Sequence, residues 1–328
     1  MKALRPTLFA IPAVAALMLI TLVHGPAAMA ADVKITPLGS QQGEFCQLDR
    51  ALILEDPDGT RVLYDPGRTV AGPDDPRLGK IDAVLVSHMH GDHVGDKHIA
   101  APGEGACKET KFPVNSLPNT NTVDIALAKN AKIITGSEMP KFFAGKLKAL
   151  GGDPKNSQLV RFGAQRMIGG ITVTTVPAVH SNGISGQMIG GELGDMLNAA
   201  GLTAYAGPPT GYVLTFSNGL VVYLSGDTGI TAEQETVVKD HYKAKLVVIN
   251  IGDTFTTGPA EAAWVVNKLI KPSSVIVSHA NQPSTEAGKV IAGTRVDEFI
   301  KMSKVPVHVP LSGRDMSFNG KGKCTAGC

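Results

Sequence analysis

The sequence has little surplus of charge, with a formal net charge of +2 at pH 7. It contains 31 Lys and Arg residues and 29 Asp and Glu residues. Lys2 and Arg5 lie in the first thirty residues, so subtracting these two from 31 leaves 29 basic residues against 29 acidic ones in the remainder. A protein that binds nucleic acid through its phosphates needs a basic patch. The composition therefore argues against a nucleic-acid partner and favours a small-molecule substrate.

Several motifs are also missing. No G-x-S-x-G segment lies between a strand and a helix, which argues against a Ser-His-Asp nucleophile. The four cysteines do not form two Cys-x-x-Cys units, which argues against a four-cysteine zinc site. No internal repeat and no linker of low complexity interrupts the chain after residue 30. Residues 31–328 are therefore predicted to form one domain with an ample apolar core.

Residues 1–30 have the three parts of a secretory signal peptide. Lys2 and Arg5 form a basic start, residues 8–23 an apolar run, and Ala28-Met29-Ala30 a small-residue cleavage site. An uncleaved membrane anchor is the alternative. The polar residues after Ala30 favour cleavage there, so we expect a periplasmic or secreted protein without a stable membrane anchor.

The four cysteines all follow the predicted cleavage site. They are Cys46, Cys107, Cys324 and Cys328. An oxidising compartment and an even count favour disulfides, for which three full pairings exist. The short spacing of Cys324 and Cys328 favours a bond between them, which leaves Cys46 to pair with Cys107. A structural zinc site is the competing interpretation.

Periodicity and turn residues predict alternating strands and helices. Asp56-Pro57-Asp58-Gly59 and Ser217-Asn218-Gly219 are hairpin turns between apolar runs. A final helix is predicted near residues 287–302. The segment 97–124 lacks apolar periodicity and is predicted to wall a substrate pocket. The segment 183–211 is either a flexible surface insertion or a lid with apolar residues.

The densest cluster of chemistry follows the apolar run 83–86. His88, His90, Asp92 and His93 lie within six residues. An extended backbone places His88 and His90 on one side, and the turn that Gly91 permits can bring Asp92 and His93 round to them. Imidazole nitrogens and carboxylate oxygens are the usual ligands of zinc and related ions. The segment therefore predicts a metal site, and a solvated His-rich loop is the alternative.

Three more predicted strands end in a residue that can bind a metal. These residues are His180, Asp227 and His279. Strand ends at one rim of a sheet can converge, and seven ligands suit two metal ions better than one tetrahedral zinc. Asp65 ends a further strand. It either caps a turn or orients a histidine ligand by accepting its ring N–H.

With these residues in this order, the chain resembles the metallo-β-lactamase-fold hydrolases. The resemblance rests on the His88-x-His90-x-Asp92-His93 motif followed by His180, Asp227 and His279, and it spans residues 33–312. The segment 252–263 is similar to the lactonase-like and phospholipase-D-like branch. The resemblance implies an α/β fold, an αββα four-layer sandwich of two mixed sheets with the site at the sheet edges.

The resemblance also implies the roles of the ligands. One metal is expected at His88, His90 and His180, a second at Asp92, His93 and His279, with Asp227 bridging both. Zinc is the default ion, and Mn²⁺, Fe²⁺ or Ni²⁺ also suit the donor set.

Two ions of this kind imply a hydrolase that uses a metal-bridging hydroxide, with Asp92 or Asp227 as the catalytic proton carrier. The expected substrate is a small ester, lactone or phosphodiester. The alternatives are a β-lactam-hydrolysing enzyme, disfavoured because position 227 is Asp where the secreted dizinc enzymes usually have Cys, and a catalytically silent metal-binding protein.

Overall fold

The computed structural model describes residues 1–2, 31–103 and 106–328. The predicted signal peptide therefore lies outside the described residues, apart from its first two. Within the described ranges, no helix combines the length and the apolar character needed to cross a membrane.

Two mixed sheets form the centre of the fold. The first sheet has eight strands. Across the sheet they are Cys324–Ala326, Met316–Phe318, Val33–Pro37, Leu52–Glu55, Arg61–Tyr64, Ala83–Leu85, Lys132–Thr135 and Ser157–Leu159. The second sheet has seven strands. In order they are Val307–His308, Ser274–Ser278, Leu246–Asn250, Val221–Leu224, Thr210–Thr215, Ile171–Pro177 and Gln165–Ile168.

Helices cover the outer faces of the two sheets, and three short pairs of strands lie in the loops. The α-helices are Gly91–Val94, Asn121–Lys129, Met139–Ala149, Gly186–Ile189, Gly191–Ala200, Pro259–Trp264 and Arg295–Met302. Pro154–Asn156 is a 3₁₀ turn, and Gln234–Lys239 and Val265–Ile270 have π-helical hydrogen bonding. The pairs are Lys97–His98 with Val114–Asn115, Gly183–Ile184 with Ala204–Tyr205, and Thr285–Glu286 with Lys289–Val290.

Alternation along the strands divides the core into three layers of side chains. On Leu52–Glu55, Leu52 and Leu54 face the second sheet, while Ile53 faces the helices outside the first sheet. On Leu246–Asn250, Val247 and Ile249 likewise face outward. This period of two is what a sheet buried on both faces requires. The layers are helix, sheet, sheet and helix, which confirms the expected αββα sandwich.

Hairpin turns set the register of both sheets where the turn residues predict them. Gly59 has φ +86° and donates its N–H to Asp56 O, which closes the first turn. The Asp56 carboxylate also accepts the backbone N–H and hydroxyl of Ser217 in the second turn, at 2.7 Å each. The two hairpins are therefore joined at the edge of the sandwich away from the candidate site.

The opposite edge collects the carboxyl ends of the parallel strands. Arg61–Tyr64 and Ala83–Leu85 run parallel in the first sheet. Val221–Leu224, Leu246–Asn250 and Ser274–Ser278 run parallel in the second. In sheets of this kind, ligand sites form beyond the carboxyl ends of the strands. This topology brings residues that are far apart in sequence to one rim.

Both disulfides favoured by the cysteine spacing are present. Cys46 is bonded to Cys107, and Cys324 to Cys328. The first bond joins the loop before Leu52–Glu55 to the long segment 97–124. The second closes the C-terminal strand, which lies with Met316–Phe318 at the end of the first sheet, beyond the region that the family resemblance covers.

The structure revises two expectations about loops. The last helix begins at Arg295 and not near residue 287, because Ala287 and Gly288 have φ of +50° and +71° and form a strand turn. The helix starts where the Thr294 side chain accepts the Asp297 N–H. The segment 183–211 holds two helices, and Met188 is buried against the first sheet. Of the two interpretations of this segment, the surface insertion therefore has regular structure of its own and is packed at Met188.

Candidate metal centre

The first group of candidate ligands surrounds the end of Ala83–Leu85. His88 Nε2 lies 2.9 Å from His90 Nδ1, and His180 Nε2 lies 3.3 Å from the same atom. Asp227 Oδ2 lies 3.8 Å from His88 Nε2 and 3.7 Å from His180 Nε2. One ligand atom from each of these four residues falls within 4.8 Å of all the others. Such a set can hold one metal ion.

The second group comprises Asp92, His93 and His279, and its atoms also lie within 4.8 Å of one another. Asp92 Oδ2 is 3.6 Å from His93 Nε2 and 3.5 Å from His279 Nε2. Asp227 Oδ2 approaches this group as well, at 2.9 Å from His279 Nε2 and 3.4 Å from His93 Nε2. Asp227 therefore stands between the two groups, in the position of a bridging carboxylate.

Close backbone packing places His279 in the second group. His279 has φ +50°, a left-handed conformation that is uncommon outside glycine. A Cβ on Gly252 would lie 2.6 Å from His279 Nδ1 and 2.5 Å from its carbonyl oxygen. Only glycine fits at position 252, since any side chain would displace the imidazole.

Asp65 orients a ligand of the second group. Its Oδ2 lies 2.8 Å from His93 Nδ1 and accepts the Ser87 hydroxyl at 2.7 Å, while Oδ1 accepts the Ser87 N–H at 2.8 Å. A carboxylate on Nδ1 leaves Nε2 to face the site, which is the usual support of a metal-binding histidine. Of the two interpretations of Asp65, the geometry supports the orienting one.

Arg50 supports the other end of the second group, and sequence reasoning missed it. Its guanidinium, 2% exposed, donates to Asp92 Oδ2 from Nε at 3.3 Å and from Nη2 at 3.2 Å. Nη2 also donates to Asn281 Oδ1 at 2.7 Å. Arg50 and Asp92 are 42 positions apart, and nothing in the local pattern around Arg50 signals the contact.

The donor atoms fit divalent cations. His93 Nε2 and Asp227 Oδ1 are buried and have no hydrogen-bond partner in the described structure. A buried polar atom without a partner costs free energy, so such atoms call for an explanation. Bound cations at the two groups would satisfy both, and a set of nitrogen and oxygen donors suits zinc and other first-row metals.

Burial and neighbouring charges shift the pKa values of His88 and His90 in one direction and that of His93 in the other. Burial, together with the neighbouring imidazoles, holds the pKa of His88 well below its usual range and lowers the pKa of His90 to about 4. Burial also tends to lower the pKa of His93, but the charges of Asp227, Asp92 and Asp65 outweigh it and raise that pKa well above its usual range. The first group therefore presents neutral nitrogens, the form that binds metals.

Both carboxylates of the site are held ionised. Burial tends to raise the pKa of Asp92, yet the charges of His93 and Arg50 and the hydrogen bond from His279 hold it well below its usual range. Burial has the same tendency at Asp227, where His93 and His279 outweigh it and lower the pKa strongly. Two ionised carboxylates beside a group of neutral histidines make a site that attracts cations.

The ligands lie at the bottom of a cleft of about 670 Å³. Its wall differs from the expected one, because the segment 97–124 does not line it. The lining residues besides candidate ligands are Gln47, Leu48, Arg68, Ser181, Gly252, Asp253, Thr254, Phe255, Asn281 and Arg295. Leu193 and Met196 of the segment 183–211 are exposed and also lie outside the lining, so neither supports the lid interpretation. The long segment 97–124 instead reaches this wall through Cys107, which anchors the loop that carries Gln47.

Comparisons with known proteins agree with this architecture. Residues 60–280 match the model of the beta-lactamase superfamily domain. A UPF0173 metal-dependent hydrolase of Polynucleobacter asymbioticus is 30% identical over 275 residues, covering 81% of this chain and 82% of that protein. One of Koribacter versatilis is 26% identical over 252 residues, covering 76% and 87%. Igni18, a metallo hydrolase of Ignicoccus hospitalis, superposes with a TM-score of 0.54 at 21% identity, covering 88% and 99%.

These matches establish the class of protein. The fold and the superfamily match make this a metallo-β-lactamase-fold enzyme, a metal-dependent hydrolase. Within that class, the chain belongs to the UPF0173 metal-dependent hydrolase family.

Proposed function

We propose that this protein is an exported hydrolase that uses two divalent cations to cleave a small ester, lactone or phosphodiester. One cation would be held by His88, His90 and His180 and the second by Asp92, His93 and His279, with Asp227 available to both. The observation that carries the proposal is the position of Asp227 Oδ2, which lies within 3.8 Å of a histidine nitrogen in each group.

The size and shape of the cleft support a small substrate. Its volume of about 670 Å³ falls in the range of small-molecule sites, roughly 300–1,000 Å³. Five of the seven candidate ligands line it, so a bond of a bound molecule can lie against both ligand groups.

When bound, the two cations lower the pKa of water and polarise the oxygen of the bond to be cleaved. The side chains of the protein set the positions of the metal ligands. Asp65 and Arg50 fix His93 and Asp92 from behind, so that the site is organised before substrate enters. Asp92 is 21% exposed toward the cleft and Asp227 only 4%. We therefore assign proton transfer to Asp92, which as an ionised carboxylate would accept a proton from the attacking water and pass it to the leaving group, and we assign the bridging role to Asp227.

The first experiment measures metal content and turnover together. Protein purified without chelator is analysed for elements and assayed on a chromogenic ester, a lactone with pH indicator, bis(4-nitrophenyl) phosphate and nitrocefin. About two ions per chain and turnover of one of the first three substrates are expected. Turnover of nitrocefin alone would establish the β-lactamase alternative, and two ions without any turnover would establish the silent metal-binding protein.

Matched histidine variants tie the activity to the site. His90→Ala should abolish hydrolysis while the circular dichroism spectrum stays that of a folded protein. His241→Ala, which removes an exposed histidine, is the control and should retain activity. Full activity in the His90 variant would refute the assignment of the site.

Export is tested separately. We propose that the mature chain begins at Ala31 in the periplasm or medium. Fractionation of expressing cells followed by intact mass measurement gives the first residue of the exported form. An intact Met1 on membrane-bound protein would show an uncleaved anchor instead.

A further inference from the structure

Arg295 places a cationic side chain in the cleft beside a candidate ligand. It is the first residue of Arg295–Met302, and its side chain turns back so that Nη1 donates to Ala280 O at 2.9 Å. Ala280 directly follows His279. The guanidinium is therefore attached one residue away from the second ligand group, and it lines the same cleft.

The charge of Arg295 is unpaired, unlike that of the other arginine in the lining. Arg68 binds Asp96 through both carboxylate oxygens, at 2.7 and 2.8 Å. Among the described residues, Arg295 makes no ion pair, and its one hydrogen bond goes to a neutral carbonyl. A guanidinium has five N–H donors in a planar fork. Most of this fork is therefore available to a molecule in the cleft.

Three carboxylates of the lining weigh against an anionic ligand, and bound cations would neutralise two of them, Asp92 and Asp227, which leaves Asp253. Asp253 is exposed, and its Oδ1 accepts the neighbouring Thr254 N–H at 2.8 Å. Exposed charges are screened by water and salt, while a partly buried pair is screened much less. Arg295 is partly buried and is held against Ala280, so its charge is screened less than that of the exposed carboxylate.

We propose that Arg295 binds a carboxylate or phosphate group of the substrate, so that the enzyme prefers small hydrolysable molecules carrying a negative charge away from the cleaved bond. This inference rests on the proposed function and adds the substrate class to it. The fork of an arginine matches two oxygens of such a group and holds it in one orientation. The reacting carbonyl or phosphorus is thereby positioned over the ligand groups.

The test compares two esters that differ in one charged group. Mono(4-nitrophenyl) adipate ends in a carboxylate, and 4-nitrophenyl hexanoate ends in a methyl group at the same chain length. With uncatalysed hydrolysis subtracted, the metal-loaded wild type should have the higher kcat/KM for the adipate. Arg295→Met should reduce that preference about 10- to 100-fold, mainly through KM, as expected for loss of a charged hydrogen-bonded pair.

Two further variants separate binding from structure. Arg295→Lys keeps the charge without the fork and should recover part of the preference. Arg68→Met removes an equal charge from the same cleft and should change the preference less than about threefold, since Asp96 already neutralises that side chain. Elemental analysis accompanies each variant, because Arg295 also holds the backbone beside His279. If Arg295→Met loses metal, the comparison is made with Arg295→Lys.

The outcomes distinguish this inference from the proposed function. No preference for adipate in the wild type, or an equal loss in Arg68→Met, overturns the role of Arg295 while leaving the hydrolase intact. If neither ester is cleaved, ester hydrolysis is wrong. The inference is then decided by calorimetric titration with adipate and hexanoate, where tenfold weaker adipate binding to Arg295→Met supports it and equal binding overturns it.

Discussion

The two ligand groups differ more in what lies behind them than in the ligands themselves. Two neutral hydroxyls contact the first group, Ser87 at 2.9 Å from His88 Nδ1 and Ser181 at 3.2 Å from His90 Nε2, and Ser87 also lies 3.3 Å from His93 Nδ1. Behind the second stand two charged residues, Asp65 on His93 and Arg50 on Asp92. The first group depends on burial to keep its histidines neutral, and the second on fixed charges to orient its ligands.

This difference predicts that the two sites respond differently to mutation. A change in a charged supporting residue should act mainly on the second ion, because its direct contact falls on a ligand of that group, while Asp65 reaches the first group only through Ser87. A change at Asp227 should act on both, because its carboxylate lies between them. Variants of these residues therefore test whether the two groups are independent.

The largest effect is expected at the shared ligand. Asp227→Ala should remove both ions and lower hydrolysis by roughly a thousandfold or more, since the ions supply several kcal/mol of transition-state stabilisation. His90→Ala should keep about one ion, held by the intact second group. Elemental analysis of the two variants measures the difference. If Asp227→Ala retained as much metal as His90→Ala, the carboxylate would not bridge the groups.

A smaller and more selective effect is expected at Asp65. Asp65→Asn removes the carboxylate behind His93 while tolerating the backbone φ of +41°. The affinity of the second group for metal should fall about 10- to 100-fold, as is typical when such a supporting partner is lost. Competition with a chromophoric chelator, which resolves two binding steps, measures it.

Ser181→Ala is the matched comparison behind the first group. Its hydroxyl is exposed, so little change in either step is expected. If Asp65→Asn weakened both metal-binding steps equally, Asp65 would support both ligand groups. The proposed difference between the two groups would then be wrong.

The sequence predicts the four ligands of the segment 88–93 better than the three that join them. His88 and His90 stand two residues apart after one strand, so local spacing alone brings them together. His180, Asp227 and His279 follow three separate strands of the second sheet, and their convergence depends on the order and direction of those strands. Polar residues recur at the ends of these strands, and this recurrence predicts which edge of the sheet holds the site. It does not predict the distances between the ligands.

Supporting residues are less predictable than ligands. Asp65 ends a strand and was open to two interpretations, which only its distance to His93 resolves. Arg50 and Arg295 carry no local signal, because each reaches its partner across a long separation in sequence. The last helix was extended too far because an amphipathic pattern does not reveal a positive φ at Ala287.

The smallest effect is expected at Arg50, and it tests how the second group balances charge. All of the contacts that Arg50 and the two histidines make with Asp92 go to one oxygen, Oδ2. A cation bound there would share that oxygen with the guanidinium. Arg50→Met should therefore lower the free energy of unfolding by about 2 kcal/mol in chelator, the typical loss of a hydrogen bond to a charged group.

Saturating zinc should reduce that loss, because the bound cation then neutralises Asp92 in place of Arg50. Urea unfolding of the wild type and Arg50→Met, with chelator and with zinc, measures the coupling. Arg77→Met is the control, since its partner Asp75 belongs to neither ligand group, neither residue lines the cleft, and its effect should be the same in both conditions. An equal loss for Arg50→Met with and without zinc would show that Arg50 supports the wall of the cleft, through Asn281, and not the charge of the second site.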